Sequence, residues 1–261
     1  MSTLMPALFL GHGNPMNALQ DNPWTRAWTA LGVALPRPRA VLAISAHWYV
    51  AGTAVTAMPE PRTIHDFGGF PRELFAVRYP AAGDAALAAQ VRALLAPLPV
   101  TADYSWGLDH GTWSVLRHLY PQADVPVVQL SIDERQAAAF HHALGARLRP
   151  LRSEGVLVLG SGDVVHNLHT YAWGGHPREP YDWALRFEAH VRERLQAKDH
   201  AALIDYGAAG PEALLAVPTP EHYLPLLYVL GASLPDEPVS FPVTGMDGGS
   251  VSMLAVQFGA L

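Results

Sequence analysis

Four short, mostly apolar runs, at about 6–10, 40–47, 125–132 and 155–160, read as buried strands. Helical periodicity fits about 84–96, 112–120, 134–149, 181–196 and 220–230. Strands alternating with helices predict an α/β fold, a three-layer sandwich around a central, mostly parallel sheet. The C-terminal region breaks this rhythm. There Val239–Val243 and Ser250–Phe258 flank Gly245-Met246-Asp247-Gly248-Gly249, which reads as an antiparallel hairpin turning on glycine. A mixed sheet is therefore expected. With no internal repeat and prolines scattered through loops, the pattern favours a single catalytic domain over 1–261.

Composition narrows the function classes. Half of the 261 residues are hydrophobic and 15% are charged, which suits a sizeable core and argues against disorder. A formal charge of −6 without blocks of like charge gives no footprint for nucleic acid. No apolar stretch reaches the roughly 18 residues of a membrane span. Met1 to Phe9 has no basic leader, so the expectation is a cytoplasmic protein with no membrane or nucleic-acid partner. The pattern does not separate a monomer from a homo-oligomer.

The chemistry lies in the histidines. There are 13, with no cysteine, so a metal site here would rest on imidazole and carboxylate. Three share one design of apolar run, small residues and histidine: Leu10-Gly11-His12-Gly13, Ile44-Ser45-Ala46-His47-Trp48, and Gly160-Ser161-Gly162-Asp163 leading to His166. Ligand sites in open α/β sheets lie beyond the carboxyl ends of strands, where these histidines fall. Each has a plain alternative as a histidine hydrogen-bonded to backbone. Ser161 is a poor nucleophile candidate, because the G-x-S-x-G elbow needs glycine where the chain has Leu159. In Thr219-Pro220-Glu221-His222, Thr219 reads as a helix N-cap and Pro220 as its first turn, with Glu221 and His222 about 100° apart on that helix. One could be a ligand and the other its support. His110 follows Asp109, which can act only through the local turn. His65 sits in a loop, His65-Asp66-Phe67-Gly68-Gly69-Phe70, able to cover a pocket. Trp48, Phe67, Phe70, Trp106 and Trp113 offer flat aromatic walls, or ordinary core packing. His118, His141, His142, His190 and His200 read as helix packing or surface, and His169 and His176 carry no assignment.

Taken in order, Gly11-His12-Gly13-Asn14-Pro15-Met16, Ser45-Ala46-His47-Trp48, the His65 loop, Asp109-His110-Gly111-Thr112-Trp113, Gly160-Ser161-Gly162 with His166-Asn167-Leu168, and Thr219-Pro220-Glu221-His222 resemble the class III extradiol ring-cleavage dioxygenases. These form the LigB superfamily, and the likeness is to its DOPA 4,5-dioxygenase-like branch. The resemblance implies one divalent non-haem metal ion, Fe(II) for activity with Zn(II) in purified or crystallised protein, and a small catechol cleaved with O₂. It implies His12 and His47 as metal ligands, His166 as acid/base or fourth ligand, and His110 as a second active-site histidine. Better-known members place a glutamate at the third ligand position. Here the resemblance implies His222, with Glu221 as the alternative. His65, Trp48 and Phe67 are the expected substrate-binding residues, and His166 is expected to titrate near neutrality. Two rival readings remain, a non-redox zinc-binding scaffold and a zinc-dependent hydrolase.

Overall fold

A computed structural model describes residues 4–174 and 179–260; His176 lies outside them. The four apolar runs become β1 (Ala7–Gly11), β2 (Ala40–Val50), β5 (Val127–Asp133) and β6 (Val156–Gly162), with β3 (Thr53–Thr56) and β4 (Val100–Asp103) between them. Toward the C-terminus follow β7 (Val239–Ser240), β8 (Met246–Asp247), β9 (Val251–Ser252) and β10 (Ala255–Phe258). Eight strands form one sheet in the order β4-β3-β5-β2-β6-β1-β10-β7. The centre is parallel: β2 pairs with β5 and β6, and β1 with β6. Antiparallel pairs join β3 to β5 and β10 to both β1 and β7, so the sheet is mixed as expected.

Strand alternation sends neighbouring apolar residues to opposite faces, and both faces are covered. Phe9, Leu42, Ile44, Val128 and Val158 pack with Leu144, Leu226 and Val229 of the helices Ala138–Leu148 and Leu224–Ala232. Leu8, Leu10, Val41, Ala43 and Leu157 pack with Trp28, Trp113 and Leu116 of the helices Pro23–Ala34 and His110–Leu119. This is the three-layer α/β arrangement. In the first layer, Gly145 and Gly231 bring two helices into backbone contact. A Cβ on Gly145 would fall 2.1 Å from the Tyr228 carbonyl oxygen, and one on Gly231 2.1 Å from that of His142.

The expected helices at 84–96 and 181–196 appear as Ala85–Leu95 and Asp182–Gln196. Several details differ. The helix at 220–230 starts later, at Leu224, because residues 219–223 wind through a turn in which the Tyr223 N–H donates to Pro220. Thr219 is therefore no N-cap; its hydroxyl donates to the Glu221 carboxylate at 2.7 Å. The C-terminal hairpin is split: β7 and β10 pair in the main sheet, while β8 and β9 form a separate two-stranded hairpin around Gly248 and Gly249, both at positive φ. The helix Pro23–Ala34 was not expected, although Asn22 and Thr25 form a capping box ahead of Pro23. No helix among the described residues is long and apolar enough to cross a membrane.

Candidate metal centre

β2, β6 and β1 lie side by side, so His12 and the residues after β6 converge with His47, which lies inside β2 instead of beyond its end as expected. The His12 N–H donates to the Gly162 carbonyl at 3.0 Å, tying the two loops together. His12 Nδ1 lies 3.0 Å from Ser161 Oγ, and the Ser161 hydroxyl donates to the Gly111 carbonyl at 2.5 Å. That hydroxyl's proton is committed, so it accepts from His12 Nδ1–H, and the His12 lone pair resides on Nε2. Ser161 is thus buried and bonded on both sides, and it orients a histidine instead of attacking a substrate.

His47, from β2, presents Nε2 at 3.2 Å from His12 Nε2. Its Nδ1 is 3.3 Å from Asp66 Oδ2, and His110 Nδ1 is 2.9 Å from the same oxygen. Asp66 Oδ1 accepts the His110 backbone N–H at 2.9 Å. The carboxylate only accepts, so the hydrogen-bonded His110 Nδ1 carries a proton, and the same anion beside His47 favours the tautomer with its proton on Nδ1 and its lone pair on Nε2. Two lone pairs facing each other at 3.2 Å repel without a cation between them. Nitrogens that share one ion at about 2.0–2.1 Å each also stand about this far apart. Donor atoms of His12, His47 and His110 lie within 4.8 Å of one another, as do those of His12, Asp163 and His222.

His222 comes from the turn before the helix Leu224–Ala232. Its Nδ1 is 3.1 Å from Glu221 Oε1, and its buried Nε2 has no hydrogen-bond partner among the described residues. Burial alone would raise the Glu221 carboxyl, but hydrogen bonds from His222 and Thr219 outweigh it and hold the group at about 2. Glu221 is charged and pinned to the far side of the imidazole, where a carboxylate fixes a metal-binding histidine. The His166 ring stacks on His222, centroids 3.5 Å apart and 8° from parallel. Burial, then the neighbouring His222, pushes His166 down to about 2 instead of the expected near-neutral value. Burial likewise keeps His12 and His47 far below their ordinary range, so these imidazoles are neutral, the form that ligates metal. The opposed His12–His47 pair, in the set with His110, and the orphaned Nε2 of His222, in the set with Asp163, share His12 and have the donor chemistry that suits a divalent ion.

The cavity around these groups measures about 190 Å³ and is walled by Asn14, Pro15, Phe67, Phe70, Leu168, Tyr171, Trp173 and Val251. Phe67 stands edge-on to His110 at 5.4 Å. Two expected substrate contacts do not line this cavity. Alternation along β2 turns Trp48 away from His47's side, and it stacks on Trp106 at 5.4 Å and 5°. His65 hydrogen-bonds the Val77 carbonyl at 3.0 Å and packs against Trp113, behind Phe67. Three polar residues went unassigned in the sequence. Asp66 sits in the segment noted for His65, and Asp163 in the small-residue loop. Tyr171, which donates to Asp247 and accepts from Asn14, had no motif to mark it. Asp109, as expected, serves the local turn: it caps the helix His110–Leu119 and is held by Gln129. The remaining described histidines pack elsewhere, such as His118 on the Asn17 carbonyl and His142 on His200.

Residues 8–244 match the family model described as the catalytic LigB subunit of aromatic ring-opening dioxygenase. A protein of Escherichia coli K12 named 4,5-DOPA dioxygenase extradiol is 53% identical, over 99% of this chain and 96% of its own length. One of Beta vulgaris with the same name is 34% identical, over 96% of this chain and 95% of its own. A crystal structure of an uncharacterized Escherichia coli K12 protein superposes with a TM-score of 0.85 at 49% identity, covering 98% of this chain and all of that one.

Proposed function

The chain belongs to the LigB family and is a metal-dependent extradiol ring-cleaving dioxygenase, and we propose a division of that work among its residues. His12, His47 and His222 hold one divalent ion, with Fe(II) as the working metal and Zn(II) compatible with the same donors. When bound, the ion supplies Lewis acidity that lowers the pKa of a catechol hydroxyl. His166, free of side-chain hydrogen bonds among the described residues, accepts the hydroxyl proton and returns it as the ring opens; burial leaves it a weak base, so the transfer depends on the acidity a bound ion would give that hydroxyl. His110, anchored through Nδ1 by Asp66, directs Nε2 at a substrate oxygen. Phe67 and Phe70 flank the flat ring. A DOPA-like catechol is the proposed substrate, after the relatives' names. Site residues drawn from position 12 to position 222 support a single catalytic domain over 1–261.

The observation that carries the ligand assignment is the opposed His12 and His47 nitrogens at 3.2 Å, beside the orphaned His222 Nε2. The scaffold and hydrolase readings are not favoured, because the named relatives are dioxygenases. The test is anaerobic reconstitution with Fe(II), then admission of air with DOPA and a panel of catechols. O₂ uptake with a new visible absorbance is expected, and no turnover across the panel would refute the substrate class. His166→Ala should keep its metal and lose ring opening, whereas His12→Ala should lose both. Loss of metal from His166→Ala would make His166 a ligand instead.

A further inference from the structure

Asp163 follows β6 and reaches into the centre beside His12. Its carboxyl is buried, at 1% exposure for the residue. Oδ1 accepts the Gly13 N–H at 3.0 Å, which fixes the group's orientation. Oδ2 then lies 3.4 Å from His12 Nε2 and has no hydrogen-bond partner among the described residues. A buried carboxylate oxygen left unpaired is costly, so this one needs a proton, a cation or a metal. His12 cannot supply the proton: neutral imidazole has one N–H, and Ser161 holds it on Nδ1. Asp247, the charged group that bears on Asp163, is another carboxyl and adds repulsion.

We propose that Asp163 is itself a ligand of the metal centre, Oδ2 supplying the anionic donor beside His12 and His222. Donor atoms of these three buried residues lie within 4.8 Å of one another. The proposal rests on the metal-dependent reading above and changes its charge. Three neutral imidazoles leave a divalent ion at +2, whereas one carboxylate brings it to +1. That is the charge of the two-histidine, one-carboxylate face common among Fe(II) oxygenases. A competing arrangement has Asp163 protonated and donating to His12 Nε2. That would occupy the lone pair a metal needs and oppose binding.

Asp163→Asn separates the two, since the amide preserves shape and can still accept from Gly13. Zinc affinity is measured by competition with a chromophoric chelator, alongside the visible spectrum of cobalt-substituted protein and the melting temperature of metal-free protein. The expected result is a loss of zinc affinity of about tenfold or more, with a shifted cobalt spectrum and an intact metal-free fold. Unchanged or tighter binding with an unchanged spectrum overturns the proposal. If wild-type protein takes up no metal, the broader reading fails instead, which keeps the two failures distinct. A crystal structure of zinc-loaded wild-type protein gives a check independent of the variant's folding. Asp163 Oδ2 should stand about 2.0–2.2 Å from the ion, and a separation beyond hydrogen-bonding range overturns the assignment.

Discussion

At the scale of single residues, the ligating atoms are governed by groups one step behind them. Ser161 decides which His12 nitrogen carries the proton, and Asp66 does the same for His47 and His110. Removing such a partner typically costs a metal site about 10–100-fold in affinity. Ser161→Ala and Asp66→Asn should each weaken metal binding in that range while leaving a folded protein. Chelator competition checks this, and unchanged affinity in both variants would show that the tautomers are set elsewhere. The histidines themselves were legible because strand, small residues and imidazole form a local pattern. Their partners were not. Asp66 binds a residue 44 positions away and Ser161 one 149 positions away, and no spacing rule reports such pairs. Glu221 and His222 were ambiguous for a related reason: their roles depend on a turn that the sequence reads as the start of a helix.

At the scale of elements, close backbone approaches position the site. The helix His110–Leu119 begins so near the centre that a Cβ on Gly111 would lie 2.5 Å from Ser45 Oγ and 2.9 Å from His47 Cδ2. Alanine improves helix propensity by about 0.8–1 kcal/mol, but overpacking typically costs about 1–3 kcal/mol. Gly111→Ala should therefore lower both melting temperature and metal content; a stabilised, fully loaded variant would show that the loop yields freely. A second element effect is acid sensitivity. His141, on the helix Ala138–Leu148, hydrogen-bonds Tyr228 at 3.0 Å, and burial depresses it to about 4. The unfolded chain takes up this proton near pH 6.5 and the folded one only near 4. Its contribution to stability is thus complete above about 6.5 and lost as the pH falls toward 4. Denaturant titrations of metal-loaded protein across that interval should show a shallower decline in His141→Leu than in wild type. The buried strands were readable because burial on both faces leaves a mostly apolar run. β3 and β4 were not, being four residues each with polar positions among them. The helix Pro23–Ala34 went unread although its Asn22-Pro23 start is a recognisable signal.

At the scale of the whole molecule, the proposed ligands come from β1, β2, β6 and the turn at 222, so a bound ion ties together segments far apart in sequence. A metal at 100 times its Kd adds about 2.7 kcal/mol to stability, and in a chain of this size 1 kcal/mol moves the melting temperature by about 2–4 °C. Chelation should accordingly lower it by roughly 5–10 °C in calorimetry, and an unchanged melt would mean that no tight ion was bound. The sheet order was beyond the sequence pattern, since periodicity identifies strands without naming their neighbours. That order also bears on biosynthesis. β1, made before both of its partners, is held between β6 and β10, and the Gly11 N–H waits for the Leu254 carbonyl. At about 5–20 residues per second, His12 precedes its closing strand by on the order of 10–50 seconds. The oxygen-reactive centre should thus form late, only once β10 has been made, and ribosome-stalled chains ending before Ala255 should not retain metal.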